Sequence, residues 1–277
     1  MAFMEVEPAK SNGETVVLLH GKNFNGYYWK EVIAFLAANG YRVIVPDQVG
    51  WGLSDKPNIN YSFHMLAHNT KTLLDSLGIK KAHVVGHSMG GMLATRFTLM
   101  YPQTVNKLIY ENPIGLEDYK TFVPYHTLEE QYAGELKATY ESLKGYQKSY
   151  YPEWRPEYEL YVAAQYEALH YPDFQQATWA SALTYQMIYE QPVVYEFRRI
   201  SQPTLIILGK EDRTVVGKNL LSKDVAVRHG QYPQLGKMMQ QQIKGSRLLE
   251  LKGIGHIPHI QALPQFRQAL LTFLKKK

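Results

Sequence analysis

No cysteine occurs among the 277 residues, so disulfide bridges and thiolate metal sites are excluded. No apolar run reaches the roughly 18 residues that a helix needs to cross a bilayer. Like charges never gather into a block longer than the three lysines Lys275 to Lys277, and no nucleic-acid-binding motif is present. A net charge of +5 therefore carries no expectation of a nucleic-acid partner. Low-complexity linkers and internal repeats are missing as well. Met1 is followed by "AFMEVEP", which is strand-like and unlike the charged and then apolar leader of an exported chain. The expectation is a soluble protein, cytoplasmic by default or exported with a leader already removed.

What is present reads as an ordinary globular chain, 45% hydrophobic and 20% charged, long enough for one large α/β domain or two small ones. Short β-branched runs alternate with amphipathic stretches. The runs are "TVVLLH" (Thr15 to His20), "YRVIVP" (Tyr41 to Pro46), "AHVVGH" (Ala82 to His87), "NKLIYE" (Asn106 to Glu111), "PTLIILG" (Pro203 to Gly209) and "SRLLEL" (Ser246 to Leu251). Nearly continuous apolar strands fit a parallel sheet buried on both faces. Between the first two, Trp29, Val32, Ile33, Leu36 and Ala37 keep helical spacing, and Gly40 supplies a stop. Strand, helix, strand at this repeat predicts right-handed βαβ units and a doubly wound, mostly parallel sheet of the α/β class.

The rhythm stops after Glu111 and resumes at Pro203. The expected division is a core of residues 1–114 and 198–277 with a helical cap, 115–197, inserted in it. This insert holds 14 of the 21 tyrosines, and its 13 acidic and 5 basic residues give a net of −8 against +13 for the rest. "LEEQYAGELKATYESL" and "PEYELYVAAQYEALHY" carry the helical spacing. An insertion after the C-terminal end of a parallel strand lies over the edge where α/β folds bind ligands.

The stretch "VVGHSMGGML" raises the chemical question. A strand leads into Gly86, Ser88 and Gly90, and a helix follows; so sharp a turn strains its central residue and requires small neighbours. Ser88 is thus a candidate nucleophile at a helix N-terminus, where the dipole favours developing negative charge. A serine hydroxyl needs a base, and the base needs an orienting carboxylate. His256 lies in "LKGIGHIPHI", a glycine-punctuated loop after the last strand, and is the candidate base; His259 is the alternative. His87 adjoins the serine but alternates away from it, and His20 ends a strand and shapes its loop. The other six histidines have no triad context. Asp212, just after a buried strand in "PTLIILGKEDRTV", is the candidate carboxylate, with Glu211 and Glu111 as alternatives and an N-cap role as the competing reading.

The order Ser88, Asp212, His256, together with "LLHGKNF", "PDQVGWGLSDKP", "GHSMGG" and "LGKEDRTV", resembles the α/β-hydrolase superfamily, in particular its cap-bearing branch of serine esterases and lipase-like hydrolases. The resemblance spans nearly the whole chain except the insert. It departs at the start, where the chain begins short of the first strand that many members possess, which suggests trimming or processing. It also implies an oxyanion hole: the backbone N–H of Met89, after the nucleophile, and that of Lys22, after "HG", with Asn23 as the alternative to Lys22. The Lys22 side chain is a further candidate for attracting anionic substrates. "DQVGWGLS" reads as a structural turn.

Members with an aspartate at the elbow, the haloalkane dehalogenases and epoxide hydrolases, are disfavoured by the serine. "KNFNGYY" lacks the glycine- and proline-rich run of iminopeptidases and many carbon–carbon hydrolases. The expected activity is hydrolysis of a carboxylic ester through a seryl acyl-enzyme, with a small-molecule substrate and no cofactor. Carbon–carbon bond hydrolysis, lactonase or perhydrolase chemistry are alternatives on the same fold, and a non-catalytic small-molecule receptor is the alternative from another class.

Overall fold

The computed structural model describes residues 1–276; Lys277, the last residue of the second expected core segment, lies outside them. Among the described residues are seven strands: β1 (Phe3–Val6), β2 (Thr15–Leu19), β3 (Arg42–Pro46), β4 (Ala82–His87), β5 (Val105–Glu111), β6 (Thr204–Gly209) and β7 (Arg247–Leu251). Side chains of a strand alternate between the two faces of a sheet, and here both faces are apolar. Val16 and Leu18, Val43 and Val45, Leu205 and Ile207 pack on one side. Val17 and Leu19, Ile44, Ile206 and Leu208 pack on the other. Both faces must then be covered by helices.

The helices in chain order are α1 (Lys30–Ala38), α2 (Phe63–Ser76), α3 (Met89–Met100), α4 (Leu128–Glu135), α5 (Tyr140–Lys148), α6 (Glu159–Ala168), α7 (Phe174–Glu190), α8 (Lys223–Ala226), α9 (Tyr232–Gln242), α10 (Pro258–Gln261) and α11 (Leu263–Lys275). Leu36 of α1 and Phe266 and Leu270 of α11 cover the first face. Leu66 of α2, Leu93 and Phe97 of α3 and Met239 of α9 cover the second. The strand order is β1-β3-β2-β4-β5-β6-β7, parallel throughout except for β1 against β3. From β2 the chain winds outward to β3, and from β4 it winds the opposite way. The C-terminal ends of β2 and β4 therefore border the crevice where such sheets bind ligands.

The first strand forms within the "AFMEVEP" stretch that reads as strand-like. Phe3 pairs with Pro46 and Val6 with Val43 in antiparallel register. As an edge strand, "FMEV" alternates exposed and half-buried residues and lacks the continuous apolar run of the interior strands.

Between β5 and β6 the described elements are helical only. The stretch 128–143 is not one helix. Thr127 caps α4 and Thr139 caps α5, each side chain accepting a backbone N–H three residues on. α4 packs on α7, and α5 on α6. Among the described residues three Lys or Arg pairs join this segment to the rest, Lys22 with Glu135 at 3.6 Å, Lys56 with Asp173 at 2.9 Å, and Arg96 with Glu196, and Glu117 also bonds His229 at 2.7 Å.

Candidate active site

β4 ends at His87 and α3 begins at Met89, so Ser88 alone makes the turn. Its φ of 55° and ψ of −122° are strained for an L-residue. The glycines two positions either side are obligatory. A Cβ on Gly86 would stand 2.3 Å from the carbonyl oxygen of Gly90, and one on Gly90 would stand 2.2 Å from that of Leu19.

Ser88 Oγ donates to Nε2 of His256 at 3.0 Å, and Nδ1 of His256 donates to Oδ2 of Asp212 at 2.7 Å. The three arrive from the ends of β4, β6 and β7, and all are buried. Oδ1 of Asp212 accepts the N–H of Thr214 at 2.8 Å. Burial pushes the Asp212 carboxyl up, but the adjacent His256 imidazole and the hydrogen bonds from His256 and Thr214 outweigh it and hold the pKa below the ordinary carboxylate value. An ionised Asp212 keeps the proton on Nδ1 and leaves the Nε2 lone pair facing the serine.

Two residues that sequence reasoning missed complete the frame. Asn112 follows β5 with φ of 35°. Its amide donates to Oδ2 of Asp212 at 2.7 Å, while its Oδ1 accepts the N–H of Gly209 at 2.8 Å. Asparagine tolerates this left-handed conformation better than most residues, which is the one local signal. Tyr150, after α5, accepts the backbone N–H of His256 on its carbonyl at 2.8 Å, and its ring stacks on the imidazole at 4.7 Å. Its hydroxyl accepts from the Asn23 amide at 2.8 Å. Nothing in the sequence separates it from the other tyrosines of the segment.

Met89 is the first residue of α3, so its N–H is among the donors that a helix leaves unpaired in its first turn. Gly21, just before Lys22, passes so close that a Cβ there would lie 3.1 Å from Ser88 Cβ. The Lys22 side chain, the further candidate for attracting anionic substrates, is engaged within the protein. Its Nζ donates to Ser181 Oγ at 2.6 Å and pairs with Glu135.

The alternative residues lie apart from the serine. His259 and Glu111 bond each other: the N–H and Nδ1 of His259 lie 2.6 and 3.0 Å from Oε1, and the imidazole stacks on Trp29 at 4.1 Å. Glu211 is exposed. His20 bonds Gly21 O through Nδ1 and accepts Gln48 N–H on Nε2, and burial lowers its pKa. The carboxylate of Asp47 accepts the N–H groups of Gly26 and Leu53, a turn-forming role.

A doubly wound sheet with a strained serine at the end of its central strand defines a class. This chain belongs to the α/β hydrolase fold family, which it matches over residues 14–262. A crystal structure of a probable hydrolytic enzyme from Pseudomonas aeruginosa PAO1 is 45% identical and superposes with a TM-score of 0.96, covering 99% of this chain and 89% of that one. The 2-hydroxy-6-oxononadienedioate/2-hydroxy-6-oxononatrienedioate hydrolase of Paraburkholderia phymatum is 44% identical over 119 residues, 41% of each chain. The 2-hydroxy-6-oxo-6-phenylhexa-2,4-dienoate hydrolase of Burkholderia cepacia is 42% identical over 109 residues, 38% of each. These matches span less than half of the curated relatives' own length.

Proposed function

We propose that this chain is a serine hydrolase that cleaves a carboxylic ester through a seryl acyl-enzyme. The observation that carries the reading is the unbroken hydrogen-bonded line from Ser88 through His256 to Asp212. His256 Nε2 takes the Oγ proton as Oγ bonds to the ester carbonyl carbon, and the carbonyl π pair moves onto oxygen. That oxyanion receives the N–H groups of Met89 and Lys22. Collapse breaks the bond to the alkoxide, which His256 protonates. Water repeats the cycle and releases the acid. Asp212, held by Asn112 and Thr214, stabilises the imidazolium formed in each half. Residues 115–197 act as a cap whose aromatic side chains face the substrate.

The names of the Paraburkholderia and Burkholderia relatives favour a second reading, hydrolysis of the carbon–carbon bond of a 2-hydroxy-6-oxo-dienoate. The dienoate would first take up a proton at C5 to become its 2-keto form; attack at the C6 ketone would then break the C5–C6 bond, its electron pair passing to the 2-keto oxygen as a dienolate that is protonated. The test is turnover of p-nitrophenyl esters of graded acyl length beside such a dienoate, with Ser88→Ala as the control. On the first reading the esters give the higher kcat/KM, and Ser88→Ala lowers it by about 10³-fold or more with Tm unchanged or raised. A higher kcat/KM on the dienoate moves the assignment to the second reading. Activity in Ser88→Ala above a tenth of wild type overturns both.

A further inference from the structure

His87 stands beside the proposed nucleophile, is fully buried, and has no part in the cycle above. Both of its nitrogens are engaged. Nε2 lies 2.9 Å from the backbone carbonyl oxygen of His256, and Nδ1 lies 2.9 Å from the Tyr28 hydroxyl. A carbonyl oxygen only accepts, so Nε2 carries the proton and Nδ1 presents a lone pair. The Tyr28 hydroxyl must donate to that lone pair. Its oxygen accepts the N–H of Gly21 at 3.0 Å. Every proton direction follows: Gly21 N–H to Tyr28, Tyr28 O–H to His87, His87 N–H to His256.

The two ends of this chain carry the chemistry. Gly21 immediately precedes Lys22, the second proposed oxyanion donor, and His256 is the proposed base. We propose that Tyr28 and His87 are positioning residues forming one strut that fixes the oxyanion loop relative to the base loop, on either side of Ser88. This rests on the reading of Ser88 as nucleophile.

The surroundings fit a directional link better than a packing role. In the same aromatic cluster, Trp29 Nε1 and His259 Nε2 are buried without a hydrogen-bond partner, whereas both His87 nitrogens and the Tyr28 hydroxyl are matched. Phe24 stacks on Tyr28 at 4.6 Å, and His259 meets its ring edge-on at 4.8 Å, which holds the phenol in place. The His87 ring lies 4.9 Å from that of His256 and 5.7 Å from that of His259, and the charges of His20 on His87 and of Glu111 on Tyr28 also act on the pair. Burial first, then the nearby imidazoles, keeps the His87 pKa well below the ordinary histidine value. That direction agrees with the lone pair that the hydrogen bonds place on Nδ1.

The test compares Tyr28→Phe, His87→Leu and His87→Gln with wild type in kcat, KM, Tm and the rate at which a fluorophosphonate labels Ser88. Tyr28→Phe keeps the ring and removes the central oxygen; it is expected to lower kcat and the labelling rate about tenfold with KM within about twofold. His87→Leu removes both links and is expected to cost about 100-fold in kcat, with Gln, which restores a donor toward the His256 carbonyl, recovering much of it. Tyr28→Phe should add nothing further to His87→Leu, because a broken strut is not broken twice. Should His87→Leu fail to fold, Tyr28→Phe decides alone. Wild-type kcat and labelling in Tyr28→Phe, or a loss confined to KM, overturns the strut. Retained activity in Ser88→Ala would instead overturn the nucleophile reading, so the two failures are distinguishable.

Discussion

His256 and His259 lie three residues apart, and each binds a buried carboxylate through Nδ1, yet only His256 reaches the serine. The difference is where Nε2 points: at Ser88 in one, into the packing around Trp29 without a partner in the other. Removing His259 would therefore act on folding. His259→Leu leaves the Glu111 carboxylate buried with one backbone donor, a cost of about 3–5 kcal/mol. The denaturation midpoint should fall accordingly, while kcat per titrated active site changes by less than about tenfold. A collapse of kcat at unchanged stability would contradict this. Ser88, Asp212 and His256 were legible as positions because glycines and strand ends mark them locally. Asn112 was not, since its amide matters only through the close approach of β5 and β6, which no local pattern encodes.

The strands show the same division between local and non-local information. Six were announced by apolar runs that sheet burial demands on both faces, and β1 only as a strand-like stretch, because an edge strand needs no such run. Within the helical insert, periodicity marked helix but gave no break, which Thr139 supplies. Periodicity also gave no hint that the proposed cap buttresses the base. The backbone N–H of His256 donates to Tyr150, and that carbonyl also accepts from Gln261 at 3.4 Å. Excising residues 115–197 for a short linker should thus cut kcat about 100-fold or more even on p-nitrophenyl acetate, where a cap that only selected substrates would leave it intact. Kinetics on a folded excised protein, verified by circular dichroism, checks this. Acetate turnover near wild type would reduce Tyr150 to a bystander.

At the scale of the whole molecule, buried histidines set the response to acid. Burial lowers the pKa of His20, His83 and His87. In the unfolded chain each takes up a proton near pH 6.5, which the folded state resists. Stability is therefore full above about pH 6.5 and declines as pH falls toward the folded values, by up to about 1.4 kcal/mol per pH unit for each fully buried group. Asp212, lowered in the fold, adds a further loss only near and below its ordinary pKa of about 3.9. Tm should drop measurably between pH 7.5 and 5.5; a flat profile there would mean that these imidazoles accept protons without unfolding.

The division of charge between the insert, at −8, and the remainder, at +13, makes the seating of one on the other a matter of ionic strength. The Lys and Arg pairs that cross the boundary among the described residues, Lys22–Glu135, Lys56–Asp173 and Arg96–Glu196, lie partly exposed, where counterions compete. At about 1 M salt the screening length shrinks to about 3 Å, shorter than the Lys22–Glu135 separation of 3.6 Å. Salt would then loosen the proposed cap, and with it the Tyr150 contacts to His256. KM for long-chain esters should rise with sodium chloride, and fluorophosphonate labelling of Ser88 should slow with it, because the Tyr150 carbonyl that holds the His256 N–H belongs to the loosened segment.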